Sequence, residues 1–199
     1  MPNWCENKLR ITHSDPAALF KFKEGWNSGR VFEALIPCPK ELMDTMSGSY
    51  GISDDKSQQY KKELHSYQEI LNLKYFGYKN WYDYCIAEWG TKWDIGYNSD
   101  RDNLALIEED GAGDQFIEVS FDSAWSPPIN AYDKLVNLGY GVDAYYYEPG
   151  MAFCGRYDEC GDQYFEIKGD SKWVRKNIPR DVEEAFNMIE TMENFEEET

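Results

Sequence analysis

Two short stretches carry the side chains best suited to chemistry. Trp89-Gly90-Thr91-Lys92-Trp93-Asp94 brings two indoles, a glycine and a Lys/Asp pair within six residues, and Ala124-Trp125-Ser126-Pro127-Pro128 adds a third indole and a hydroxyl. Trp89, Trp93 and Trp125 could line a ligand pocket, with Lys92, Asp94 and Ser126 at its mouth. The same residues read better as structural pins, with the indoles fixing a helix to a sheet and Ser126 capping the following helix. Other catalytic patterns are missing. His13 and His65 stand alone, no HxH, HExxH or DxD spacing occurs, and no glycine loop opens a helix in phosphate-binding form. Cys154 and Cys160 would need partners that two histidines can hardly supply, so no zinc site is expected. Glu108, Glu109, Asp110 and Asp114 could hold a hard cation but read better as a solvated hairpin tip. No catalytic residue, metal or cofactor is therefore assigned from the sequence.

Charge is the strongest overall signal. The 199-residue chain has a formal net charge of −17, and residues 91–199 hold 25 acidic against 9 basic side chains, while residues 1–90 hold 12 against 11. A surface of that sign repels nucleic-acid phosphates and steers basic protein surfaces toward it. The carboxylates placed to meet such a partner are Asp100, Asp102, Glu108, Glu109, Asp110 and Asp114 on one hairpin, then Asp158, Glu159 and Asp162, joined by Asp181, Glu183 and Glu184. An RNA- or single-strand-binding sheet is the second reading, with Tyr145, Tyr147 and Phe153 as stacking faces. A metal-dependent, nuclease-like enzyme is the third.

Aromatic residues make up 16% of the chain, enough for a core built on a few large rings. No run of eighteen apolar residues occurs, and the first residues have neither a basic nor an apolar leader region, which leads to the expectation of a cytosolic protein without a membrane span. Five cysteines without CxxC spacing read as free thiols there.

The elements that must position these residues follow in order. Cys5, Asn7, Leu9 and Ile11 alternate with Glu6, Lys8 and Arg10 as a first strand. Ser14-Asp15-Pro16 opens a helix that stops at Asn27-Ser28-Gly29. Pro37-Cys38-Pro39 reads as a stiff strap, and helical spacing then runs from Lys40 to Glu88, broken from Ser47 to Asp55. Three antiparallel strands are expected over 92–97, 104–108 and 115–121, then a helix from Ser126 to Gly139. Strands over 141–147, 151–157 and 163–168 and a single helix from Pro179 to about Asn194 close the chain, with the last residues frayed.

Leaving out residues 37–89, this order is βα-ββ-αβ, the order of a ferredoxin-like α+β sandwich. The opening Met1-Pro2-Asn3-Trp4-Cys5-Glu6-Asn7, the two Trp-bearing stretches and Gly150-Met151-Ala152-Phe153-Cys154-Gly155 resemble the YubB-type proteins with a ferredoxin-like domain, over roughly residues 1 to 155. That resemblance implies carriage on plasmids, phages and integrated elements and names no catalytic residue. The expected organisation is one domain, 1–199: a ferredoxin-like sheet core over 1–36 and 90–170, a helical insertion at 37–89 after the first helix, and extra C-terminal antiparallel strands before an acidic helix and tail at 171–199. The expected function is that of a mobile-element accessory protein, a non-enzymatic acidic binder that docks on the basic surface of a host protein and inhibits a host defence or nucleic-acid-handling protein.

Overall fold

A computed structural model of the chain describes residues 3–48, 56–99 and 103–197. The first strand, β1 (Trp4–Thr12), runs through the middle of a six-stranded antiparallel sheet. Its alternation does what the sequence predicts. Cys5, Asn7, Leu9 and Ile11 are buried on one face, while Glu6, Lys8 and Arg10 point to the other.

Asp15 accepts from the Ala17 N–H and Pro16 occupies the first turn of α1 (Pro16–Asn27), satisfying the helix start as expected. A short helix α2 (Val31–Leu35) follows, where the sequence suggested no element, and then α3 (Lys40–Met43). The helical segment continues with α4 (Lys56–Phe76) and α5 (Trp81–Trp89). Asn80 caps α5, accepting from the Tyr82 and Asp83 N–H groups, and Gly90 ends it at a left-handed φ of 80°.

Residues 92–97 and 104–107 were expected as strands and are not. Asp94 is turned to the start of α2, and the 103–105 backbone is tied to α1: Trp26 Nε1 donates to Asn103 O at 2.6 Å and the Ala105 N–H donates to Asn27 Oδ1 at 3.0 Å. Only β2 (Glu108–Glu109) pairs with β3 (Gln115–Ala124) across the Asp110–Asp114 turn. The helix α6 (Ile129–Asn137) starts three residues later than expected, because Ser126 does not cap it. Three strands follow, β4 (Gly141–Glu148), β5 (Phe153–Asp158) and β6 (Gly161–Glu166). A helix the sequence did not suggest, α7 (Ser171–Asn177), comes next, and the helix predicted from Pro179 to about Asn194 is divided into α8 (Arg180–Phe186) and α9 (Met188–Glu197), with a left-handed Asn187 (φ 49°) between them.

The strand order is β2-β3-β1-β4-β5-β6. Leu9 lies between Val119 and Ala144, and Ile11 between Ile117 and Val142. On this face Leu19, Phe22 and Trp26 of α1 and Ala131, Tyr132 and Leu135 of α6 complete the main core with Phe32 and Trp89. On the opposite face the C-terminal helices cover only the β4–β6 half. Val174, Ile178, Val182 and Met188 close over Cys154, Tyr145, Tyr147 and Phe165. Beside them, no helix among the described residues packs over the rest of the second face of β1 and β3, α8 reaching β1 where Lys8 Nζ lies 5.7 Å over the Phe186 ring.

Candidate functional site

The two Trp-bearing stretches meet, and most of their polar groups are engaged within the chain. Ser126 Oγ donates to Gly90 O at 3.0 Å, Thr91 Oγ1 donates to Ala124 O at 3.4 Å, and Trp89, buried, donates its Nε1–H to Ile36 O at 3.0 Å. A Cβ on Gly90 would stand 3.2 Å from the Ile129 nitrogen, so the end of α5 is set directly against the start of α6. Asp94 accepts from the backbone N–H groups of Phe32 (2.7 Å), Glu33 (2.8 Å) and Ile95 (2.7 Å), acting as the N-cap that α2 lacks locally. Burial raises its carboxyl above the ordinary aspartate value despite those three donors.

Trp89 is buried in the core, whereas Trp93 and Trp125 are exposed. Trp93 stacks on Trp4 with ring centres 5.7 Å apart, and Lys92 Nζ sits 3.8 Å above it. Trp4, Trp93 and Trp125 are between 42% and 47% exposed, which is unusual for indoles and leaves an aromatic patch at this end of the sheet. Trp125 holds a left-handed φ of 73° and donates its N–H to Asn3 O at 3.0 Å. Trp4 was not singled out by sequence, because the stack depends on how 92–97 returns to β1.

The acidic candidates divide into two sets at one end of the sheet. Strand register places the Asp110–Asp114 turn beside Thr12 and Gly141, and the Asp158–Gly161 turn beyond Tyr157 and Ala144, with β1 and β4 between them. Glu108, Glu109, Asp114, Glu159 and Asp162 are exposed. Asp110 closes its own turn, accepting from Ala112 and Asp114 N–H groups. Asp158 does likewise with the Cys160 N–H, and Asp162 accepts from Tyr146 Oη–H at 2.7 Å. Asp100 and Asp102 lie outside the described residues.

Between the two sets lies a feature that sequence reasoning missed. An open cavity of about 730 Å³ occupies the uncovered second face beside α8, lined by Lys8, Arg10, Glu118, Asp143, Tyr145, Asp181 and Glu184. Arg10 bridges Glu118 at 2.8 Å and Asp110 at 3.7 Å, and lies 3.6 Å over the Phe116 ring. Arg156 bridges Asp158 at 2.9 Å and Asp181 at 2.7 Å. Arg180 pairs with Glu184 at 2.6 Å, so three guanidiniums neutralise part of the carboxylate array. Burial and the neighbouring Asp158 raise the Asp143 carboxyl, against the opposing pull of Arg156 and Arg10. For Asp181 burial works upward, but the Arg156 guanidinium outweighs it and the net shift is downward. Lys8 and Arg10 were visible in the sequence as the polar positions of β1; what places them opposite Asp143 and Asp181 is the register with β4 and the packing of α8.

Among the described residues no group of three or more His, Cys, Asp and Glu is arranged to hold a metal ion, and no helix is long and apolar enough to cross a membrane. The aromatics suggested as a base-stacking face are engaged elsewhere. Tyr145 and Tyr147 lie against the C-terminal helices, and Phe153 is buried against Tyr146.

By its elements the chain is a mixed α+β protein built on a six-stranded antiparallel sheet. No family model matches it, and no curated protein matches it. Among solved structures it is similar to the crystal structure of a protein api92 from Yersinia pseudotuberculosis, described with the family model DUF1281; the match covers 85% of this chain and 99% of that chain, at 11% identity and a TM-score of 0.38.

Proposed function

We propose that the protein is a non-enzymatic acidic binding protein that takes a basic protein surface on the uncovered face of its sheet. The observation that carries this is the cavity beside α8, where Glu118, Asp143, Asp181 and Glu184 converge, three of them in ion pairs with Arg10, Arg156 and Arg180 that an incoming guanidinium can exchange. Carboxylates on strands and a helix start, held by packing, offer fixed acceptors for arginine or lysine side chains. The exposed Trp4, Trp93 and Trp125 supply apolar anchors at the other end of the sheet.

The order β2-β3-β1-β4, with α1 and α6 on one face, supports reading the core as a ferredoxin-like sandwich extended by β5, β6 and the C-terminal helices. The resemblance to YubB-type proteins supports the role of a mobile-element accessory protein, and a basic groove on a host defence or nucleic-acid-handling protein is the target such a role requires. A cytosolic location goes with that reading.

The test is fluorescence anisotropy with an arginine-rich peptide at low salt and at about 0.5 M salt, where screening falls to a few ångströms. Binding is expected at low salt, with roughly tenfold or greater weakening at high salt and in the Glu118→Gln/Asp143→Asn/Asp181→Asn/Glu184→Gln protein. Equal binding by that variant, or indifference to salt, overturns the reading. Affinity capture from host lysate then identifies the partner.

A further inference from the structure

The helix α4 departs from the usual surface helix, in which an apolar stripe faces the core. Its inward side is polar. His65 Nε2 contacts Met46 O at 2.9 Å, and the buried Asn72 donates to Thr45 Oγ1 (2.9 Å) and Lys79 O (2.7 Å) while accepting from Gln68. Its outward side carries Tyr60 (66% exposed), Leu64 (56%), Tyr67 (60%), Ile70 (62%) and Tyr75 (68%). Tyr60, Leu64, Tyr67 and Leu71 are spaced by four, three and four residues, the d-a-d-a spacing of a coiled-coil seam. A shallow groove of about 480 Å³ lies on the flank of this face, lined by Gln59, Lys62, Glu63 and Ser66 as well as Tyr67 and Ile70.

We infer that this face is the contact between two copies of the chain, paired antiparallel along α4. The area is right. Tyr60 and Tyr67 alone leave about 200–300 Å² in water at these exposures, a large share of the biggest apolar patch of a typical monomer. With Leu64, Leu71, Ile70 and the helix flanks, the face approaches the roughly 800 Å² per partner of a standard interface.

Charge keeps the contact away from the acidic half of the chain. The helix carries four lysines against two glutamates, whereas residues 91–199 carry 25 acidic against 9 basic side chains. Two copies meeting at α4 bring together their least repulsive surfaces and keep the carboxylate arrays apart. Antiparallel pairing in which a positions face d positions sets Leu64 against Tyr67 of the other copy and Tyr60 against Leu71, around a two-fold axis between residues 65 and 66. The next d position is Lys74, where the seam ends.

Size-exclusion chromatography with light scattering at about 100 μM, above the micromolar limit that standard interfaces reach, is expected to give twice the chain mass. Leu64→Glu and Tyr67→Lys should each give monomers with unchanged far-ultraviolet circular dichroism, since both positions are exposed. Mixed one to one they should pair again, because position 64 of one copy faces position 67 of the other. A monomeric natural protein at that concentration, or failure of the mixture to pair while each single variant is monomeric, overturns the inference. Co-sedimentation of the natural protein with phosphatidylcholine vesicles, lost in both variants, would also overturn it by assigning the face to a lipid surface.

Discussion

Replacing Asp94 by alanine removes the only side-chain acceptor among the described residues at the start of α2, whose own N-cap position, Arg30, makes no side-chain capping bond. The Phe32 and Glu33 N–H groups, at 2.7 and 2.8 Å from the carboxylate, are then left to whatever water reaches them. Loss of a helix cap costs about 0.5–2 kcal/mol, and a hydrogen bond to a charged group contributes about 1.5–3 kcal/mol. Removal of the buried charge gives part of this back, so Asp94→Ala is expected to cost about 2–4 kcal/mol. At about 2–4 °C per kcal/mol for a chain of this size, Tm should fall by roughly 4–16 °C.

Asp94→Asn keeps one acceptor oxygen and sheds the charge, and should cost about half as much or less. The pH dependence follows from the direction of the shift. A folded-state pKa above the unfolded value means that the folded protein holds the proton longer, so the Asp94 contribution declines as pH rises from the ordinary aspartate value through the raised one. Guanidinium denaturation of the natural protein and both variants between about pH 4 and 7, the window bounded below by the ordinary aspartate pKa, measures this. Alanine and asparagine variants of equal stability, or a natural protein whose advantage over Asp94→Asn grows with pH in that window, would refute the reasoning.

Other expectations concern separate parts of the molecule. Gly96→Ala would put a Cβ 2.5 Å from Gly29 Cα and 2.7 Å from Trp26 O, both backbone atoms, and should cost about 3 kcal/mol or more in chemical denaturation. Asn72→Ala leaves Lys79 O and Thr45 Oγ1 without their donor and should cost about 2 kcal/mol, seen as a Tm lower by roughly 4–8 °C. Cys160 is exposed, whereas burial pushes the thiols of Cys38 up to about 11 and of Cys85 and Cys154 up to about 12, and Cys5 higher still; Ellman's reagent should therefore count one fast thiol at pH 8 in the native chain and five in denaturant. Arg156→Met should return the Asp181 carboxyl upward in an NMR titration. The pair stabilises above the ordinary aspartate pKa and loses its effect as pH falls through the lowered one.

The sequence made legible those elements whose signals are local. The alternation of β1, the Asp15-Pro16 start of α1, the Gly90 stop of α5 and the Asp110–Asp114 turn each follow from neighbouring residues, and each stands in the structure. What failed depends on distant partners. Residues 92–97 have a strand's alternation, but Asp94 is drawn to α2 and Gly96 is held against Gly29, so the segment pairs with no strand. Ser126 has the chemistry of a cap but meets Gly90 O across the molecule. The division of the last helix turns on Asn187, a residue that tolerates left-handed backbone, which by itself does not announce a break. At the candidate site, the carboxylates of the second half were evident, while the pairing of Arg10 and Arg156 with them, and the cavity they border, arise from strand register and from α8.

The central position of β1 bears on how the chain reaches this state. Its two neighbours begin more than a hundred residues downstream, Trp4 meeting Ala124 and Glu6 meeting Tyr147. During synthesis β1 must stay unpaired until residues 116–147 have emerged, since no local hairpin can shelter its amide groups. Topologies that join such remote segments fold on the slower side of the single-domain range, and an Ile11 or Leu9 stretch waiting in water is where assistance by a chaperone would act first.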